Sequence, residues 1–276
     1  MVISSQDFDY IRKVVREHSA VVLEPGKEYL VESRLQLLVH HEGVASIQDL
    51  LRKLHSDSSG ELHRKVAEVM MTAETTFFRD VRPFETLKTL VLPKLVERRA
   101  AHRSLNIWCA ASATGQEPYS IAMLLHDSFP SLAAWDVQFI ASDLSRTLLA
   151  RARKGSFTQL EVNRGLPAAL LVNYFQKSGP EWQIDGRIRD MVEFQEINLV
   201  KPWPSLPSMD IVFMRNVLIY FDMETRKSIL GRVKRLLRPD GFLFLGGSET
   251  VTQLEETFEP IARDVNACFR LLGAES

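Results

Sequence analysis

Two carboxylates stand where an α/β sheet would present them to a small ligand. Glu117 follows a strand and a tight turn. The apolar run Ile107 to Ala111 stops at Ser112-Ala113-Thr114-Gly115, and a helical pattern with Ile121, Leu124 and Leu125 begins after it. This is the opening strand–turn–helix of a dinucleotide-type sheet. Small side chains let the backbone approach a ligand, and the helix start offers free N–H groups. The turn lacks the G-x-G-x-x-G spacing of a pyrophosphate cradle, and Glu117 at the helix entrance would repel one. A ligand with hydroxyls or a positive charge suits the turn better. Further on, Trp135 to Ser142 reads as a second strand ending in Asp143, where such folds hold a ribose by its hydroxyls. From spacing alone, Asp143 as a cap for the helix starting near Ser145 is an equally open reading.

A third candidate position follows the strand Asp210 to Met214, which places Arg215-Asn216 at its carboxyl end. Ligands of open α/β sheets bind along that edge. Asn198-Leu199 follows another strand, Val192 to Phe194. Asn198 and Asn216 also suit plain turn roles. Other chemistries find little support. The seven histidines show no H-x-x-x-H or Cys/His ligand spacing, so no metal site is expected. Cys109 and Cys268 lie in apolar runs and read as small core residues. A net charge of −1 argues against a nucleic-acid reader that relies on a basic surface. No apolar stretch has the length of a membrane span or the form of a signal peptide, which makes a cytoplasmic location the expectation, without membrane insertion.

The elements that position these residues divide the chain. Residues 1–72 read as four short helices forming an all-α domain. The first has Ser5 as its cap and Phe8, Ile11, Val14 and Val15 inward. The second ends near Gly43, the third starts at Ser46, and the fourth runs from Glu61 to Met71. Residues 73–82 form a linker whose adjacent Phe77 and Phe78 are expected to plug a domain interface. Residues 83–276 form an α/β domain: a Rossmann-like sheet with helices on both faces, entered by a helix that starts at Pro83 and runs to about Arg99. Within it a small antiparallel excursion, about residues 174–191, is marked by alternating residues broken at Gly179-Pro180 and Asp185-Gly186, and Asp-Gly is a hairpin signal. Leu236 to Gly241 reads as a turn, Phe242 to Leu245 as a strand, and Ala267 to Leu271 as its antiparallel neighbour.

Four blocks together carry a resemblance: Thr75-Thr76-Phe77-Phe78-Arg79, Ala111-x-x-Thr114-Gly115-x-Glu117-Pro118-Tyr119-Ser120, Arg215-Asn216-Val217-Leu218-Ile219-Tyr220-Phe221 and Gly246-Gly247-Ser248-Glu249. In type and order they are similar to the motifs of the chemotaxis receptor glutamate methyltransferases, the CheR family, over nearly the whole chain. The resemblance implies a class I methyltransferase sheet and methyl transfer from S-adenosylmethionine to receptor glutamates. The product would be S-adenosylhomocysteine, and no metal would take part. It implies a cofactor shell of Thr75, Arg79, Glu117, Asp143, Asn198, Leu199, Arg215 and Asn216, with Arg79 and Tyr220 near the transferred methyl. Its second helix resembles a basic surface that lies along receptor helices; here that surface holds Lys27, Arg34, His40 and His41, and Arg34 is the candidate contact. The β-excursion is shorter than in family members that bind a receptor C-terminal tail, so tail docking is not expected, while regulatory adaptor proteins remain compatible with the sequence. Two other readings stay open: a methyltransferase of this fold with another acceptor, and a non-catalytic S-adenosylmethionine-binding scaffold.

Overall fold

The computed structural model describes residues 3–249, 251, 257–261 and 267–273. Its internal contacts divide the chain into two compact units, Met1–Ala73 with Tyr220–Thr225, and Glu74–Ile219 with Arg226–Ser276.

Among the described residues the first unit holds four helices: α1 (Ser5–Ser19), α2 (Glu28–Glu42), α3 (Ile47–Ser56) and α4 (Glu61–Met70). Each buries an apolar face, with Ile11, Val15, Val31, Leu35, Leu50, Leu54 and Val66 inaccessible to solvent. The cap of α1 is Ser4, one residue before the expected Ser5. Its hydroxyl accepts from Asp7 N, and the Asp7 carboxylate accepts in return from Ser4 N. That reciprocal pair needs a serine three residues ahead of an acidic partner, and only Ser4 has that spacing. Ser46 caps α3 as its sequence predicts, and Gly43 closes α2 in the left-handed conformation.

Glu42, at the end of α2, ties three helices together. Lys53 of α3 and Lys65 of α4 each donate to its carboxylate at 2.7 Å. The hydrogen bond from Lys53 is the largest cause, with that from Lys65 next, holding the Glu42 carboxyl at about 2, below its usual 4.5. A carboxylate depressed in the folded state stabilises it fully above the unfolded value and loses that contribution as pH falls through the folded one. Between pH 5 and 2, the wild-type thermal midpoint should therefore fall several degrees further than that of Glu42→Gln, as followed by circular dichroism. Parallel curves for the two proteins would show that the staple adds nothing.

Among the described residues the second unit holds ten strands: β1 (Ser104–Ala110), β2 (Asp136–Asp143), β3 (Ser156–Thr158), β4 (Phe175–Ser178), β5 (Glu181–Ile184), β6 (Glu193–Glu196), β7 (Met209–Phe213), β8 (Leu237–Phe244), β9 (Phe258–Pro260) and β10 (Cys268–Leu271). Seven form one sheet in the order β6-β2-β1-β7-β8-β10-β9. The pairs β6–β2, β2–β1, β1–β7 and β7–β8 are parallel, and β10 runs antiparallel to both β8 and β9. The strand order reverses between β1 and β7, and the carboxyl ends of the strands there open a crevice suited to a ligand. Toward the crevice the central strands are buried on both faces without alternation: every residue of β7 is buried, as are the last five of β2.

Three expectations need correction. The antiparallel excursion is a three-stranded sheet, β3-β5-β4, whose first strand lies outside residues 174–191. Its hairpin turns at Gly179, φ 59°, whereas Asp185 accepts from Arg187 N and starts the short helix Gly186–Arg189. Asp-Gly serves here as a helix start because the Asp side chain captures the backbone two residues on. The residues Leu237 to Gly241, expected as a turn, belong to β8; a register shift lets Leu237 pair with Met209 and Phe242 with Ile211. Lastly, Phe77, expected to plug a domain interface, belongs to the core of the second unit itself. It is fully buried in the second unit, edge-on to Phe157 at 5.0 Å and Phe175 at 5.7 Å.

The helical stretch before β1 runs as Arg82–Thr86, a π-helical Leu87–Val91 and Leu92–Arg99. Its last residue fixes the amino ends of the central strands. Arg99 donates from Nε to Asp210 at 2.8 Å and from both terminal nitrogens to Asp240 at 3.0 and 2.6 Å. Asp210, wholly buried, also accepts from Asn106 N at 2.8 Å. This network clamps the sheet at the end opposite the crevice.

Candidate active site

At the carboxyl end of β1 the chain turns sharply. Ala111 and Ala113 both adopt positive φ, 56° and 47°. Residues with a Cβ pay about 1–3 kcal/mol for such conformations, which persist where the surroundings enforce them and cluster at ligand sites. Ser112 N donates to Ser142 O at 2.9 Å, locking the turn to β2. The Ser112 hydroxyl is buried and has no hydrogen-bond partner among the described residues. Gly115, φ 96°, caps the helix Gln116–Ser128. A Cβ there would sit 3.1 Å from both Ala152 Cβ and the Tyr119 ring, so the turn needs glycine for conformation and for space.

Asp143, at the end of β2, braces both the helix that follows it and the turn that follows β1. Oδ1 accepts from Ser145 N at 3.0 Å, which holds the entry to the helix Arg146–Lys154, and Ser145 itself is the cap of that helix. Oδ2 accepts from Ala113 N at 2.9 Å and braces the strained turn of β1. Burial pushes the Asp143 carboxyl above its ordinary value, and the backbone donors at Ser145 and Ala113 oppose that shift. A carboxylate has about four acceptor sites, so these bonds and the one from the Leu144 backbone do not fill it.

Arg215, immediately beyond Met214 at the end of β7, is the hub of the site. Its side chain is 1% exposed. Nη1 donates to Glu117 Oε2 at 2.5 Å, and Nη2 donates to Asp80 Oδ2 at 2.6 Å and to the Arg79 carbonyl at 3.1 Å. The guanidinium thus ties the segment that carries Arg79 to the start of the helix that carries Glu117. Asp80 was not singled out by the sequence reading, although it directly follows the Thr-Thr-Phe-Phe-Arg block. The segment is itself contorted, with positive φ at Phe78, Asp80 and Val81. Phe78 N anchors it to Ser120 Oγ at 3.0 Å. Two carboxylates on one guanidinium leave this cluster one negative charge in excess.

The other candidate residues are placed as follows. Arg79 donates to the Glu74 carbonyl at 3.0 Å, and Thr75 lies half-buried in the same segment. Asn198 Oδ1 accepts from Val200 N at 3.0 Å, a turn role, and buried Leu199 offers its carbonyl to Trp203 Nε1 at 3.2 Å and to Arg232. Asn216 is left-handed, φ 57°, and its N–H donates to Glu249 at 2.7 Å. The crevice edge therefore gathers Glu117, Asp143, Asn198, Leu199, Arg215 and Asn216. Tyr220 and Arg34 belong to the first unit. There Val22 N donates to the Tyr220 carbonyl at 3.1 Å, and Arg34 donates to the Met70 carbonyl and to Thr72 Oγ1. Burial lowers the Arg34 pKa, with Tyr220 opposing.

The arrangement fits a small cationic ligand that also carries hydroxyls. The orphaned Ser112 hydroxyl, the open lone pairs of Asp143 and the surplus negative charge at Glu117, Asp80 and Arg215 all favour one. Comparison with known proteins gives the same direction. The family model described as CheR methyltransferase, SAM binding domain, matches residues 73–267, and that described as CheR methyltransferase, all-alpha domain, matches residues 6–70. The chain belongs to the CheR methyltransferase family. It is 39% identical over 266 residues to chemotaxis protein methyltransferase 1 of Pseudomonas aeruginosa, covering 95% of this chain and 96% of that protein. Chemotaxis protein methyltransferase Cher2 of Pseudomonas putida is 38% identical, covering 92% and 94% of the two chains. The chemotaxis protein methyltransferase of Vibrio parahaemolyticus is 34% identical over 98% of both. This CheR-family chain is accordingly an S-adenosylmethionine-dependent methyltransferase. No described helix is long and apolar enough to cross a membrane.

Proposed function

We propose that this methyltransferase acts in the cytoplasm on glutamate side chains in the helical region of methyl-accepting chemotaxis receptors, giving glutamyl methyl esters. The observation that carries the cofactor side of this reading is the net negative cluster around Arg215, beside a turn with an orphaned hydroxyl. When bound, S-adenosylmethionine supplies a methyl group activated by its sulfonium charge. Asp143 would take the ribose hydroxyls, Glu117 the cationic amino acid end, and Thr75, Asn198, Leu199 and Asn216 the rest of the shell. Arg215 supports this shell from behind, because its terminal nitrogens already serve Glu117, Asp80 and Arg79.

The chemistry asks little acid–base help from the chain. A glutamate acceptor is ionised near neutral pH, since its free pKa is about 4.3. What the site must supply is alignment, which contributes roughly 7–11 kcal/mol in well-oriented reactions. The acceptor's negative charge fades as its oxygen is alkylated, so a tight arginine clamp would stabilise the starting state more than the transition state. Arg79 therefore orients the incoming oxygen, with Tyr220 as a milder hydrogen-bond partner, and Arg34 is the candidate contact to the receptor helix.

The test is transfer of radiolabel from S-adenosylmethionine to receptor cytoplasmic fragments. Label that base releases as methanol, and that disappears when the acceptor glutamates are changed to alanine, is the expected result. Tight cofactor binding with no label on any receptor fragment would sink the receptor reading.

A further inference from the structure

We infer that Glu249 is a positioning residue for methyl transfer. Its carboxylate fastens together the loops that leave β7 and β8 at the crevice, an inference that rests on the reaction proposed above. Glu249 is buried, 6% exposed, and touches three backbone donors from two segments. Oε2 accepts from Asn216 N at 2.7 Å and from Gly246 N at 2.7 Å; Oε1 accepts from Ile219 N at 3.3 Å. A backbone N–H shielded from water is costly to leave unpaired, and this one side chain serves three, buried at Gly246 and partly buried at Asn216 and Ile219.

The geometry around it is specific. Asn216 is held at φ 57°, a conformation that asparagine tolerates but that needs support from its surroundings. Gly246 has no room for a side chain: a Cβ there would lie 2.6 Å from Asn216 Nδ2 and 2.8 Å from Glu249 Oε2. Asn216 and Glu249 therefore pack against a bare backbone, which explains a glycine where φ is ordinary. The clamped loop begins at Arg215, the hub of the acidic cluster, and its last clamped residue, Ile219, immediately precedes Tyr220. Without the carboxylate, the Asn216–Ile219 loop loses two of its anchors, and the groups at either end of it lose their fixed direction. Glutamine at this position keeps one carbonyl oxygen but turns an NH₂ group toward a backbone donor, so it disrupts the clamp while preserving size.

The experiment compares wild type with Glu249→Gln in three measurements: amide hydrogen exchange, affinity for S-adenosylhomocysteine, and kcat for methyl transfer. Faster exchange is expected at Asn216, Ile219 and Gly246, with the amides of β1 and β2 unchanged. Affinity should fall less than tenfold, because Asp143 and the β1 turn stay in place. The value of kcat should fall about a hundredfold, the cost of a displacement near 1 Å at a reacting group. Glu249→Asp, which keeps the charge on a shorter arm, should recover part of kcat. Unchanged exchange at the three amides would overturn the clamp, whatever the acceptor turns out to be. Equal losses in affinity and kcat, with protection lost across the sheet, would reduce Glu249 to general stability and overturn the positioning role. Absence of methyl transfer in the wild type would instead fall on the proposed reaction, since exchange is read without turnover.

Discussion

Asp143→Ala should weaken S-adenosylmethionine binding about a thousandfold, measured by calorimetry on the intact chain. Two hydrogen bonds from ribose hydroxyls to an ionised group contribute about 1.5–3 kcal/mol each. A thousandfold corresponds to about 4.1 kcal/mol. The loss has a second source in the free protein. Ala113 N and Ser145 N, now paired with the two carboxylate oxygens at 2.9 and 3.0 Å, would both be orphaned. The turn of β1, held at positive φ on both sides of Ser112, would relax away from the conformation that meets the ligand. Asp143→Asn separates the two effects, because its amide can still accept one backbone N–H while losing the charge. An affinity for Asp143→Ala within threefold of wild type would remove Asp143 from the cofactor shell and leave it as a brace alone.

Arg215→Ala should cost about 3–5 kcal/mol of stability in urea denaturation, the range for removing one partner of a buried ion pair. The penalty comes from Glu117, whose side chain is only 11% exposed and would keep a charge without its partner. Asp80 contributes little to that figure, since its side chain is 53% exposed and water screens it. Arg215→Lys should recover less than half of the loss. A single ammonium reaches one carboxylate, whereas the planar fork of arginine serves Glu117 on one nitrogen and Asp80 with the Arg79 carbonyl on the other. The double variant Arg215→Met with Glu117→Gln should be more stable than Arg215→Ala, because the unpaired buried charge goes with its partner. A loss below about 1 kcal/mol in Arg215→Ala would mean that the cluster is wet in solution.

Much of this site was legible in the sequence because the central strands advertise themselves. β1, β2 and β7 each carry a short apolar run, Ile107 to Ala110, Phe139 to Ala141 and Ile211 to Phe213, followed by small or polar residues at the crevice, so Glu117, Asp143 and Arg215-Asn216 could be placed by position. Asp143 shows the limit of such reasoning: cap and ligand contact were posed as rivals, yet one carboxylate has two oxygens and the bracing bonds leave room for more. β3 and β9 are three residues long, too short for alternation to register, and β3 draws its strand character from pairing with β5. The roles of Asp80 and of Glu249, which closes the fourth motif block, were opaque for a different reason. Their partners are a guanidinium and backbone N–H groups brought in from distant segments, and backbone donors leave no mark in a sequence. Arg34 presents the converse case. The resemblance implies a receptor contact there, and no sequence signal foretold that its guanidinium also donates to the Met70 carbonyl and Thr72 Oγ1.

The two cysteines have a practical consequence. Cys109 lies in the middle of the sheet on β1 and Cys268 in its antiparallel half on β10, both with no exposed surface. Burial pushes both thiols well above their ordinary pKa, and the neighbouring charge of Glu117 adds to the effect at Cys109. Thiolates, not thiols, react with alkylating reagents, so the folded protein should stay unmodified while any opening of the sheet is captured irreversibly. The molecule therefore carries two native clocks. Their relative ticking would tell whether the fold loosens first at its centre or along its antiparallel flank, with no label introduced and no residue changed.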